Sequence, residues 1–325
     1  MRKIVVFAGW VFVGLLFLGG EDASAQPQAQ KVPISYSSGG ITSIDLFIAR
    51  EKGFFREEGL DPQLIQMRAS IAITAGISGD VDALGSIGSA IRAIQRGAPL
   101  KVAAVTLHRP LFWLIARPEY RSIKDLKGKV LGVVTIGGSQ HTMAKRLLSL
   151  GGLDADKDLT VVQVGEEAVQ LQALISNAIQ VAAISPPIFL VGRDKYKMNI
   201  LDSSVDKFSS IQNGLAVNVK TMEAKPDLVK KILRARAKAN RYFHENERGA
   251  SEILAQLWKT DLGTAVETYR LSKPAFTHNG IPSDEGIKEY LALDAQILKL
   301  PEPVHPSKVF DFTLQREVNR EMGVR

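Results

Sequence analysis

Apolar and polar positions along this chain follow two alternating periods. Short β-branched runs bounded by Gly, Ser or Pro read as buried strands, and between them apolar residues fall at helical spacing. The first run, 32–36, precedes a polar loop at 37–43. A helix follows with Ile44, Phe47 and Ile48 on one face, and it stops at Gly53. Strand 62–67 completes a βαβ unit. The pattern then repeats as helix 69–78 closed by Gly79, strand 81–84, and a helix carrying Ala90, Ile91 and Ile94 closed by Gly97. Strands 101–107 and 111–117 come next, punctuated by Pro110 and Pro118.

The unit at 129–148 is the clearest of the series. Val130, Leu131, Val133 and Val134 make a buried strand, and Met143, Leu147 and Leu148 mark a helix. Between them Gly137 and Gly138 let the backbone approach a ligand, and Ser139 is the expected N-cap. A brief capped helix at 122–126 precedes this unit. Strand 160–164, helix 166–175, and strands 181–184 and 198–201 follow it, and strand 214–219 reads as a return to the first part of the chain. The remainder is mostly helical, over 226–244, 250–260 and 264–271, with Pro274, Pro282, Pro301, Pro303 and Pro306 marking late loops.

Strands alternating with helices predict an α/β fold of parallel sheets flanked by helices. Loops at 37–43, 85–89, 137–140 and 185–187 follow strands and are rich in Gly, Ser or Pro. Ligands of open α/β sheets bind at that end of the strands, so the four loops predict one composite site.

Composition adds compartment and excludes several chemistries. A length of 325 residues suggests about two domains. Arg2 and Lys3, an apolar stretch at 4–20, and Ala23-Ser24-Ala25 form a secretory signal expected to be cleaved after Ala25. Glycines at 9, 14, 19 and 20 weaken the rival reading of an uncleaved anchor. There is no cysteine, hence no disulfide, no thiol chemistry and no lipid-modified Cys. A soluble exported protein with no such anchor is expected in a periplasm. The net charge is +7; most of it reads as solvated, and the remainder favours an anionic ligand or an acidic surface. The basic series Lys230, Lys231, Arg234, Arg236, Lys238 and Arg241 reads as a solvated helix face rather than a nucleic-acid surface.

Catalytic signatures fail one by one. Gly132 to Gly137 gives the first spacing of a phosphate loop, but Gly138 stands where Lys is required. Neither G-x-G-x-x-G nor G-x-S-x-G occurs. His108, His141, His244, His278 and His305 share no ligand spacing, so no metal site is indicated.

Four ordered stretches nevertheless carry a resemblance. They are 49–60 (AREKGFFREEGL), 79–84 with 98–102 (GDVDAL, APLKV), 122–133 (SIKDLKGKVLGV), and Gly151-Gly152-Leu153 with Asp158. Together they resemble the periplasmic substrate-binding proteins of ABC transporters for nitrate, sulfonates, taurine and thiamine precursors, the NMT1/THI5-like or SsuA-type family. The resemblance implies a type II periplasmic-binding-protein fold. Lobe 1 would comprise 31–115 plus 212–325, lobe 2 would comprise 116–211, and two crossovers would form a hinge around a ligand cleft. It implies a small, anionic organic solute, a sulfonate or carboxylate, delivered to a membrane permease with its ATPase. No catalysis, cofactor or nucleic acid is implied, and the protein would be a monomer. Carried over residue by residue, the family's site loops give Ser38, Gly39, Gly40, Ser86, Ser89, Gly138, Ser139, Gln140, His141, Ser185 and Asn213. Ser86 and Ser139 could instead only cap helices, and Arg109 either reaches a carboxylate or pairs at the surface. Phe112 and Trp113 read as core or hinge packing, with a cleft lining as the alternative. Two other roles stay open: a sensor that docks on a membrane receptor, and an enzyme like the relative that makes a pyrimidine precursor. That relative relies on a Cys-rich motif, which this chain lacks.

Overall fold

The computed structural model describes residues 29–37, 40–134 and 136–324. The expected export signal, together with Ser38 and Gly39 of the first loop, lies outside the described residues. Ten strands are formed among them: β1 Gln30–Tyr36, β2 Leu60–Gln66, β3 Ala83–Ser86, β4 Leu100–Leu107, β5 Trp113–Ala116, β6 Val130–Val133, β7 Thr160–Gln163, β8 Val181–Ile184, β9 Asn199–Ser203 and β10 Asn213–Asn218. They build two five-stranded sheets, ordered β2-β1-β3-β10-β4 and β7-β6-β8-β5-β9.

Neither sheet is wholly parallel, which corrects the expectation. β1 runs parallel to β2 and β3, but β10 is antiparallel to β3 and β4. In the second sheet β6 is parallel to β7 and β8, whereas β5 is antiparallel to β8 and β9. The two reversed strands, β5 and β10, are those the chain enters by crossing directly from the other sheet, over 108–112 and 204–212. No βαβ return orients them, so the right-handed parallel rule does not apply. The first crossing also falls earlier than expected. The division at 115/116 would cut β5, which belongs entirely to the second sheet.

The structure adds helices that the sequence pattern leaves unassigned: Ile188–Tyr196, and, among the late prolines, Asp284–Leu298 and Thr313–Glu321. The Asp284–Leu298 helix is capped by Ser283, whose hydroxyl accepts from the Gly286 N–H at 3.1 Å. Its Ile287, Tyr290 and Leu291 fall at helical spacing and join Ile91 and Ile94 of the Gly88–Gln95 helix in one apolar cluster. The C-terminal segment thus lies against the loop that follows β3.

The long Pro226–Glu245 helix begins on a proline, as expected, but its basic series is not simply solvated. Arg234 and Lys238 tie it to Glu58, at 2.7 and 2.8 Å. Arg236 is only 2% exposed and pairs with the equally buried Asp45 at 2.5 Å. Burial of that guanidinium follows from its helix position, between Leu233 and Ala239 on the core side.

Candidate functional site

Two contiguous cavities lie between the sheets and share Thr42 and Gln212. The narrower, of about 270 Å³, is lined with hydroxyls: Ser37, Ser86 and Ser89 from the first sheet's loops, Ser139 and Thr142 from the second, and Ser210 from the crossover. The first turns of the Gly88–Gln95 and Ser139–Leu150 helices both border it. The leading N–H groups of a helix have no acceptor within it, so these two ends favour an acceptor-rich ligand group.

Ser86 and Ser139 are not caps. The Gly88–Gln95 helix has Ile87 at its N-cap, and the Ser139–Leu150 helix has Gly138 there; neither uses a side-chain cap. The Ser86 hydroxyl instead accepts from the Ser37 N–H at 3.1 Å and donates to Ser37 Oγ at 2.8 Å, tying the first loop to β3. Ser139 is exposed, and its hydroxyl has no partner among the described residues. Ser89 and Ser139 therefore present hydroxyls to the same cavity from opposite sheets.

Gln140 and His141 take a different place from Ser139. Both are buried and both hold the loop together. Gln140 Oε1 accepts from the Val134 N–H at 2.7 Å, and its amide pairs with Gln170. The turn before them needs Gly137 at φ +80°, and the Gly137 N–H donates to His141 Nδ1 at 2.9 Å. Nε2 then carries the ring proton and lies buried without a protein partner. Burial, with Lys145 nearby, pushes this imidazole's pKa down and keeps it neutral near pH 7.

The wider cavity, of about 640 Å³, is lined by Gly40 and Ile41, Phe112, Ser185 to Ile188, Trp258, and the carboxylates Glu166 and Glu167. Ser185 borders it, but its N–H and its hydroxyl both donate to Glu167 Oε2, at 2.9 and 2.5 Å. Burial pushes the Glu167 carboxyl above its usual range, partly offset by those two hydrogen bonds. Phe112 borders the wider cavity, while Trp113 stacks on Phe189 at 4.6 Å in the core. Asn213 borders the narrower cavity, where Thr106 and Arg236 hold its Oδ1 at 3.3 and 3.2 Å. Arg109 points away, donating to the Val205 carbonyl at 3.2 Å.

Sequence reasoning missed Arg92, Tyr290 and Asp294 of the narrower cavity and Trp258 and Glu167 of the wider one. Arg92 follows Gly88 and Ser89 by one helical turn, a spacing that could have placed it at the same mouth. Its Nε donates to Asp294 at 3.0 Å, and neither terminal nitrogen hydrogen-bonds another described residue. Tyr290 and Asp294 come from a helix with no counterpart in the sequence reading.

Two ion pairs bridge the units on either flank of the cavities. Arg146, on the Ser139–Leu150 helix, meets Glu289 at 3.1 Å. Arg193, on the Ile188–Tyr196 helix, grips Glu267 with both terminal nitrogens, one at 2.8 Å. Exposed pairs contribute roughly 0.2–1 kcal/mol each, so single losses are small. Reversing one charge adds repulsion exactly where the units meet. Glu267→Arg should weaken ligand binding in the cavities between the units about threefold to tenfold at low salt, and adding Arg193→Glu should restore it. Titration of the single and double variants at two ionic strengths checks this; a double variant no better than the single would exclude the bridge as a contact that holds the two units together.

A family model described as NMT1/THI5 like matches residues 41–250. The riboflavin-binding protein RibY of Chloroflexus aurantiacus is 28% identical over 225 residues, which are 65% of this chain and 62% of that protein. The chain thus spans less than two thirds of that relative's length. Among solved structures, the periplasmic aliphatic sulphonate binding protein SsuA of Escherichia coli superposes with a TM-score of 0.69 at 16% identity, covering 88% of this chain and 92% of its own. The periplasmic nitrate-binding protein NrtA of Synechocystis PCC 6803 gives 0.71 at 15% identity, covering 92% and 90%. Both share this fold.

Proposed function

Because the chain belongs to the NMT1/THI5-like family and has the periplasmic-binding-protein fold, we propose that it captures a small organic solute between its two α/β units and presents it to an ABC permease. In this reading the protein is exported, and it binds without converting its ligand. The observation that carries the reading is the narrower cavity. Loops from both sheets meet there around unpaired hydroxyls, two helix N-termini and the free terminal nitrogens of Arg92. Those groups donate hydrogen bonds, so they suit an anionic, acceptor-rich head such as a carboxylate or sulfonate. The wider cavity, with Phe112, Ile188 and Trp258, takes the apolar body of the same molecule.

Thermal shift and titration with the chain from residue 26 onward test this reading. Aromatic and aliphatic carboxylates and sulfonates are compared with their neutral amides. The expected result is a rise in melting temperature with the acids, micromolar binding, and quenching of Trp258 fluorescence. At a hundred times Kd the ligand should stabilise by about 2.7 kcal/mol. Arg92→Ala should weaken acid binding by about tenfold or more, the worth of a charge-assisted hydrogen bond. Equal binding of acids and amides by the unaltered protein would overturn the anionic head.

A further inference from the structure

The 284–298 helix lies beyond the span matched by the family model, yet its Tyr290 and Asp294 wall the narrower cavity. Asp294 is almost fully buried. It accepts from Arg92 Nε at 3.0 Å and from Gln95 Nε2 at 3.2 Å, and Tyr290 lines the same wall of the cavity. Arg92 is the one cationic side chain among the described residues lining this cavity, and Asp294 is its counter-charge. With that pair balanced, the remaining positive potential comes from the first turns of the Gly88–Gln95 and Ser139–Leu150 helices. Each helix N-terminus is equivalent to roughly half a positive charge, so about one unit faces the ligand. A head with a single negative charge is matched. A second charge would leave water with nothing to offset its desolvation.

We infer that Asp294 is a specificity-determining residue: by neutralising Arg92 it restricts the cleft to singly charged heads, carboxylate or sulfonate, against dianions such as phosphate monoesters. This inference rests on the reading of the Arg92 end as the head-binding end.

Asp294→Asn removes the charge and keeps the shape. Gln95 Oε1 is buried without a partner, so rotation of that amide supplies an acceptor for the new N–H. Titration calorimetry at pH 8 compares benzenesulfonate, a monoanion, with phenylphosphate, a dianion. The unaltered protein should prefer the sulfonate by about tenfold or more, and Asp294→Asn should bring the two within about threefold or invert them. Tyr290→Phe removes a hydroxyl from the same cavity wall but no charge, and should keep the original ratio. An unchanged ratio in folded Asp294→Asn, with both probes bound, would overturn the inference while leaving the proposed function standing. If that variant does not fold, the unaltered protein decides: a dianion bound as tightly as the monoanion overturns it. Binding of neither probe by the unaltered protein overturns the head-binding reading itself, and this inference with it.

Discussion

Asp45→Ala should destabilise the protein by roughly 3–5 kcal/mol, the cost of leaving one member of a buried ion pair alone. Asp45 and Arg236 are 1% and 2% exposed, and Asp45 Oδ2 accepts from both Arg236 Nε, at 2.8 Å, and Nη2, at 2.5 Å. The remaining partners of Arg236 are neutral: the Gly214 carbonyl, Asn213 Oδ1 and Thr106. They orient the guanidinium but cannot balance its charge. The melting temperature should fall by roughly 10 °C. Replacing both partners with apolar residues, Asp45→Leu with Arg236→Met, should recover much of that loss, because no charge is then left buried. The pair also reaches the cleft, since Arg236 holds Asn213 at the edge of the narrower cavity. Asp45→Ala should therefore weaken binding as well as stability. Urea melts and titration on the same samples check both effects. A loss below about 1 kcal/mol would mean that water reaches Arg236 and substitutes for the carboxylate.

The fold was legible where local signals are strong. Short apolar runs bounded by Gly, Ser or Pro located β1, β6 and β8, and glycine stops at 53, 79 and 97 closed the helices between strands. Strand direction was not legible. The apolar sequence of β5, Trp113–Ala116, is the same whichever way it runs, and only the crossing at 108–112 makes it antiparallel. The site divides similarly. Small polar residues at strand ends and in the loops after them brought Gly40, Ser86, Ser89, Ser139 and Ser185 to the borders of the two cavities, and Asn213 reaches one from the start of β10. Gln140 and His141, next to Ser139, turned inward, because the loop's own N–H groups needed acceptors that no ladder supplies. Arg92 and Asp294 escaped notice because their meeting joins residues some two hundred positions apart, and no local pattern encodes it.

Ser139→Trp should abolish solute binding while leaving the fold intact. Ser139 is the first residue of its helix and is exposed, and its hydroxyl caps nothing, since the N-cap is Gly138. Removing that hydroxyl costs no cap energy, and surface substitutions of this kind usually stay within about 0.5 kcal/mol. The melting temperature should hardly move. The side chain nevertheless opens onto a cavity of only about 270 Å³, opposite Ser89. An indole there fills the space between the two helix N-termini and screens Arg92 from the ligand. A loss of at least about a hundredfold in affinity is expected, more than any single hydrogen bond supplies. Ser139→Ala separates occlusion from hydrogen bonding. Losing one neutral hydrogen bond of about 0.5–1.5 kcal/mol should weaken binding only about twofold to tenfold. Titration of both variants with the tightest-binding acid gives the comparison. If the tryptophan variant bound as well as the unaltered protein, the 137–141 segment would be a turn that merely connects strand to helix, and the head of the solute would have to lie elsewhere.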